Sequence, residues 1–166
     1  MISPELLRRY DFFAGLDNDQ LITLAKLADE ISVEEGYYFF HEGKVVTNFY
    51  IVVEGAVGIV LEIPDQAVEQ PVSGQLTGEI KTRDITVTTV GAGMVFGWPG
   101  IIPPHDANAT AKSLAPCRAF AFDCESLQKA FEDDCDLAYK MTLNAAQIIR
   151  ERLRDMQIES LSFLSN

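Results

Sequence analysis

The hydrophobic pattern changes period twice along the chain. Ser3-Pro4-Glu5 has the form of an N-cap, a first-turn proline and an acidic first turn, predicting a short helix through Arg9. The apolar cluster Phe12, Phe13 and Leu16 follows. Asp17 with Gln20 three residues on has the form of a capping box, opening a helix with Leu21, Leu24, Ala25 and Ala28 on one face. From Ile31 the pattern becomes that of strands: Phe39-Phe40, Phe49–Val53, and Val57, Ile59, Leu61 and Ile63 at period two. Ile85–Val90, Val95-Phe96, Ala109–Leu114 and Arg118–Phe122 read the same way, with glycines between them as turns. Polar Pro64–Asp84 reads as a long hairpin loop. Trp98 to Pro104 is too proline-rich for a long helix and fits one turn plus a loop. Asp123 then caps a helix with Leu127, Ala130 and Phe131 inward, and after Asp133-Asp134 a last helix runs to about Ser160.

Short helices, then about eight closely spaced strands, then two helices argue an α+β, mainly β fold whose strands close into a barrel or roll. A single domain over 1–166 is expected, with helices in 3–30, the barrel in 31–122 and C-terminal helices in 123–162. The last helix, roughly 27 residues and ~40 Å long, exceeds what one compact domain needs. Its apolar stripe runs through Leu137, Met141, Ala145, Ile148, Ile149, Leu153, Met156 and Leu161 at near-heptad spacing. The first half suits packing on the barrel. The second half is expected to pair with another copy, giving a homodimer.

Charge removes whole classes of function. The 166 residues carry 13 basic and 25 acidic side chains, a net charge of −12. Nucleic-acid affinity rests on cations neutralising phosphates, so this chain alone is not expected to bind DNA or RNA. An anionic membrane surface is disfavoured for the same reason. No apolar run spans a bilayer and the N-terminus lacks signal-peptide order, so a soluble, cytoplasmic protein is expected.

Cys117, Cys124 and Cys135 match no zinc spacing and read as reduced thiols, with redox sensing at Cys124 or Cys135 left open. The two histidines, His41 and His105, lie far apart and cannot supply the paired-histidine metal set of cupin enzymes. His41 reads as a strand-end turn residue. Neither a phosphate loop before a helix nor a nucleophilic triad can be argued. The expectation is a non-enzyme with no metal and no cofactor.

Glu35-Gly36, Phe39-Phe40, Glu42-Gly43, then Phe49 to Val57 through Gly55, then Gly93-Met94-Val95-Phe96-Gly97 occur in a telling order. Together with Phe12 to Leu16 and the closing helix pair, they resemble the cyclic-nucleotide-binding domain of the CRP/FNR regulators. The resemblance implies a jelly-roll β-barrel flanked by helices, with the long helix as dimer interface. In that family the phosphate-binding cassette begins Phe-Gly-Glu, the Glu holding the ribose 2′-hydroxyl, and an Arg about ten residues on pairs with the cyclic phosphate. Here Trp98 follows Phe96-Gly97, and the Arg position aligns with Ala107 or Asn108. Neither charged partner is present, so tight binding of cAMP or cGMP is not expected. Gly-Trp followed by Pro-Pro also resembles a group of stand-alone bacterial domains of the superfamily.

The regulators carry a helix-turn-helix after the long helix, and this chain stops at Asn166, so no DNA-binding domain is expected. Iron–sulfur sensing of the FNR type is excluded, since no cysteine precedes Cys117. The ligand-binding candidates are Gly97, Trp98, His105, Asn108, Thr110 and Lys112. Trp98 either stacks on an aromatic ligand or plugs the pocket; Thr110 and Lys112 share one strand face, and the sequence does not say which. Met141, Ala145, Ile148, Ile149, Leu153 and Met156 are the dimer candidates. The expected function is that of a homodimeric sensor domain that binds a small ligand other than ordinary cAMP or cGMP and signals to a partner protein. A ligand-free interaction scaffold closed by Trp98 is the alternative. The hairpin Pro64–Asp84 and the helix end at Leu161, Phe163 and Leu164 are the candidate output surfaces.

Overall fold

The computed structural model describes residues 2–64 and 82–164. They divide into two compact units, one holding the residues up to Asp29 and those from Phe122 on, the other Glu30–Ala121.

The first unit is helical: α1 (Pro4–Leu7), a 3-10 turn at Asp11–Phe13, α2 (Asn18–Leu27), α3 (Cys124–Asp133) and α4 (Cys135–Leu164). Ser3 has N-cap backbone geometry, but its side chain makes no cap bond. The box at α2 forms in full: the Gln20 N–H donates to Asp17 Oδ1 at 2.9 Å and the Asp17 N–H to Gln20 Oε1 at 3.1 Å. Leu21, Leu24 and Ala25 are buried as expected. Ala28, assigned to the same helix face by periodicity, instead has extended geometry and starts the first strand. Asp123 caps α3 by accepting from the Ser126 N–H at 2.8 Å.

One residue, Asp134, separates α3 from α4. Its Oδ1 accepts the N–H groups of Asp136 and Leu137, each at 3.0 Å, filling donors that a helix start leaves open. Its Oδ2 accepts from Gln20 Nε2 at 3.2 Å, and the same amide donates to Asp136 Oδ2 at 2.9 Å. Buried Gln20 therefore ties the first turn of α2 to the first turn of α4. Helix α4 has 30 residues, about 45 Å at 1.5 Å rise, and continues beyond Ser160 to Leu164.

Eight strands are formed among the described residues, lying in the second unit except for the first two residues of β1 and the last two of β8: β1 (Ala28–Val33), β2 (Tyr38–Phe40), β3 (Asn48–Glu54), β4 (Val57–Pro64), β5 (Thr82–Val90), β6 (Val95–Phe96), β7 (Thr110–Ser113) and β8 (Cys117–Asp123). They form two four-stranded sheets, β1-β8-β3-β6 and β2-β7-β4-β5. Apart from the β4–β5 pair, which shares a sheet, successive strands alternate between sheets, as in a jelly roll. Tyr50, Val52 and Phe96 from one sheet and Val57, Val90 and Ala111 from the other share one core. The expected closed barrel is a pair of open sheets: among the described residues the ladders do not join into a ring, and the side-chain core holds them together. Most of the expected hairpin loop Pro64–Asp84 lies outside the described residues, its two ends belonging to β4 and β5.

The Gln20 junction predicts a pH signature. Asp134 is held below the usual carboxylate range first by the Leu137 N–H and then by Gln20; Asp136 is held there by Lys140 and then by Gln20. Lowered folded-state values stabilise the fold above the unfolded carboxylate pKa of about 3.9, and this is lost as pH falls through them. Gln20→Glu keeps an acceptor for the Asp17 N–H but sets a third carboxylate against Asp134 and Asp136. Thermal melts are expected to show a lower Tm at pH 7, with the deficit against wild type narrowing toward pH 4 as the new carboxyl protonates.

Candidate functional site

The loop after β6 opens with Gly97 at φ 79°, in the left-handed region. A Cβ there would lie 2.7 Å from the Asn48 carbonyl oxygen, so both conformation and space require glycine. Trp98–Gly100 then forms a single 3-10 turn, the turn plus loop the prolines predict. The loop satisfies its own donors. The Gly100 N–H donates to Gly97 O, those of Ile101 and Ile102 to Trp98 O, and that of His105 to Ile102 O. Pro99, Pro103 and Pro104 contribute none. The Ala107 N–H donates to Lys44 O at 2.8 Å, while Gly43 and Val46 donate to the carbonyls of Ala107 and His105 at 2.7 and 2.9 Å. His105 itself has φ 71°, and its Nδ1 stands 2.9 Å from Pro99 O. A carbonyl only accepts, so that nitrogen carries the proton.

Ile101, Ala107 and Ala109 are buried in this loop, Trp98 and His105 half-buried, Asp106 and Asn108 exposed. Asp106 is its one charged side chain. The loop thus presents carbonyls and a carboxylate, with five N–H groups committed, and no cation (Gly100, Ile101, Ile102, His105 and Ala107 being the five).

Of the six ligand candidates, Gly97, Trp98, His105 and Asn108 lie on this loop. Thr110 and Lys112 stand on β7 and share a face as alternation requires. Ala111 between them is buried in the core, so their face is the outer one. There they join a polar network not anticipated from the sequence. Asp84 Oδ2 accepts from Tyr38 Oη and Lys112 Nζ, both at 3.0 Å, and Lys112 Nζ lies 4.8 Å from the Tyr38 ring centre. Glu62 Oε1 accepts from Thr110 Oγ1 at 3.1 Å and lies 3.2 Å from His41 Nδ1. The Tyr38 and His41 rings stack at 4.6 Å. Asp84 is held below the usual carboxylate range by Lys112 first, against a smaller desolvation effect, and Lys112 is raised by Tyr38 and Asp84. His41, read as a plain turn residue, is a member of this network.

Along α4, Leu137, Met141 and Ala145 are buried within the helical unit, so Met141 and Ala145 pack in the chain's own core. Asn144 anchors the same stretch by donating to Phe12 O at 2.6 Å. Beyond it Ile149, Leu153, Met156, Ile158 and Leu161 are exposed, Leu161 at 63%. The side chains of Phe163 and Leu164 lie outside the described residues. None of the three cysteines forms a disulfide; Cys135 is exposed and the others buried, with burial raising the Cys117 thiol. Among the described residues no acid, histidine and cysteine group could hold a metal, and no helix is long and apolar enough to cross a membrane.

The model of the cyclic nucleotide-binding domain matches residues 30–134. The chain belongs to the cyclic nucleotide-binding domain family. The family match supports a regulatory or sensor kind of domain. A proposed cyclic nucleotide-binding protein from Geobacter metallireducens is 27% identical, with 92% of this chain and 99% of that one covered at a TM-score of 0.73. A cyclic nucleotide-binding domain from Methylobacillus flagellatus shares the fold at 16% identity, TM-score 0.71, covering 95% and 79%. The sensor domain of the transcriptional regulator DNR from Pseudomonas aeruginosa shares it at 20%, TM-score 0.62, covering 90% of each chain. No curated protein sequence matches this chain.

Two glycines give a paired prediction for the cassette. Gly93 has φ 83° with open space around its Cβ position, whereas Gly97 has both the positive φ and the clash with Asn48 O. Gly93→Ala is expected to cost about 1 kcal/mol, the left-handed strain alone. Gly97→Ala is expected to cost about 2–3 kcal/mol, since the β3 backbone must also move. Urea denaturation of the two variants reads the difference.

Proposed function

We propose that this chain is a homodimeric sensor domain whose cassette binds a small ligand other than cAMP or cGMP, and that it signals to a partner protein. The observation that carries this reading is the chemistry of the 97–110 loop. The left-handed backbone turn that begins the cassette is present at Gly97, yet the loop holds no lysine or arginine, four of its N–H groups serve its own carbonyls and that of Ala107 serves Lys44 O. A cyclic phosphate needs donors or a guanidinium, and this loop offers carbonyl oxygens and Asp106. The ligand suited to it is uncharged or cationic and rich in donors. Gly97, Trp98, His105 and Asn108 are the proposed contacts, with half-buried Trp98 as an aromatic wall. Isothermal titration is expected to show cAMP and cGMP binding no tighter than about 100 μM, some 5.5 kcal/mol of affinity. Sub-micromolar binding of either would refute the reading.

The homodimer is supported by the run of exposed apolar residues on α4. Ile149, Leu153 and Met156 are proposed to meet their own copies across a two-fold axis, the isologous arrangement typical of dimers. Met141 and Ala145, buried in the monomer, support the interface from behind. Replacing Ile149 and Leu153 together with Asp is expected to give a folded monomer by analytical ultracentrifugation, because these side chains carry 37% and 55% exposure and little of the monomer core. A wild-type chain that sediments as a monomer at 100 μM rules the dimer out (a concentration about a hundredfold above a micromolar Kd).

A further inference from the structure

The cassette loop is held from outside by a short strap, residues 41–46. His41 to Lys44 form a turn, with the Lys44 N–H donating to His41 O at 3.1 Å and Gly43 at φ 74°. Beyond the turn Val45 stands opposite Asp106 as an isolated antiparallel bridge. Three backbone bonds cross between strap and loop, from the Gly43 N–H to Ala107 O, from the Ala107 N–H to Lys44 O and from the Val46 N–H to His105 O. Both backbone polar groups of Ala107 are thus committed to the strap.

The start of the strap is fastened to the outer face of the sheet. The Glu42 N–H donates to Thr110 Oγ1 at 2.9 Å, and that buried hydroxyl donates to Glu62 Oε1 at 3.1 Å. The same Glu62 oxygen stands 3.2 Å from His41 Nδ1. A carboxylate only accepts, so Nδ1 carries a proton, and the proton that charges the ring goes to Nε2. One carboxylate oxygen therefore holds the first two residues of the strap, Glu42 through Thr110 and His41 directly.

The charges around His41 set the direction of its response. Strand β4 brings Glu62, β5 brings Asp84 and β7 brings Lys112, while the Tyr38 ring of β2 stacks on the imidazole at 4.6 Å. The strap adds Glu42 and Lys44, which cancel, and the loop adds Asp106. Negative charge exceeds positive on this face. A proton on His41 reduces the excess, turns the bond to Glu62 into an ion pair and sets a cation against the Tyr38 ring. All three effects favour the fastened strap.

We propose that residues 41–46 are a pH-sensitive strap on the cassette. Protonation of His41 tightens its hold on Glu62, and the three backbone bonds to residues 105–107 then open less often. Histidine is the side chain whose charge ordinarily changes between about pH 5 and 8, so the device works near neutrality. The proposal is independent of what the cassette binds.

The test uses the full 15N-labelled chain without ligand. Between pH 8 and pH 5.5, protection of the Gly43, Val46 and Ala107 amides from hydrogen exchange, corrected for the intrinsic rate, is expected to rise about threefold, the size that an exposed ion pair supports. The rise should follow the ring signals of His41 and not those of His105, the other histidine of the chain. Glu62→Gln keeps an acceptor for Thr110 and removes the charge; His41→Gln keeps a polar side chain and removes the titration. Each variant should hold protection constant across this range, and where one loses its fold the other decides. A rise that persists in a folded variant, or that follows His105, overturns the proposal. So does an equal rise at the Val52 and Gly93 amides, which bond on the far side of the β unit's core to Met94 O and Val52 O, and so does constant or falling protection in the wild type.

Discussion

The ring of Phe96 is the contact on which the β unit depends. It stacks on Tyr50 at 4.7 Å and 9° and meets Phe39 edge-on at 4.9 Å, with Phe40 at 6.3 Å. Tyr50 and Phe96 belong to one sheet, Phe39 and Phe40 to the other. The two sheets share no ladder among the described residues, so aromatic packing stands in for hydrogen bonds as the link between them. Phe96 is also the last strand residue before the loop that opens at Gly97. The loop thus starts from a fixed point, and the glycine after it can make a sharp left-handed turn without the strand drifting.

From that point the loop is governed by a shortage of donors. Three prolines remove N–H groups, and the 3-10 turn and the contacts with Lys44 use others. Family membership is carried by glycines and the core, and on the proposed reading the choice of ligand would rest on the side chains at Trp98, Ala107 and Asn108.

What the sequence revealed was mostly local. The Asp17–Gln20 box, the Asp123 cap and the strand positions rest on neighbours a few residues away, and periodicity displays them. Gln20 shows the limit: its capping role was legible, while its bonds to Asp134 and Asp136 connect positions more than a hundred apart. Alternation put Thr110 and Lys112 on one face but fixed only their relative phase. The burial of Ala111 chose the face, and that is a property of the whole sheet. Tyr38, His41, Glu62 and Asp84 meet through the pairing of β2, β7, β4 and β5, which no single strand encodes. The even spacing Gly58, Val60, Glu62 marked an outward face, and it was the one signal available. A barrel or roll was expected from the run of strands, yet the order of elements does not determine whether the last ladder forms.

The proline-stiffened cassette carries a consequence for signalling. Many switches work by converting a floppy segment into a fixed one, so that occupancy is read as a gain of order. Pro99, Pro103 and Pro104 restrict the backbone before anything arrives, and the internal bonds of the loop hold it further. Occupancy of such a loop brings little additional freezing, which lowers the entropic penalty of association. It also deprives this loop of disorder-to-order conversion as a message. On the proposed reading, information about occupancy would travel as displacement of an already rigid loop, through shifts in neighbouring packed elements.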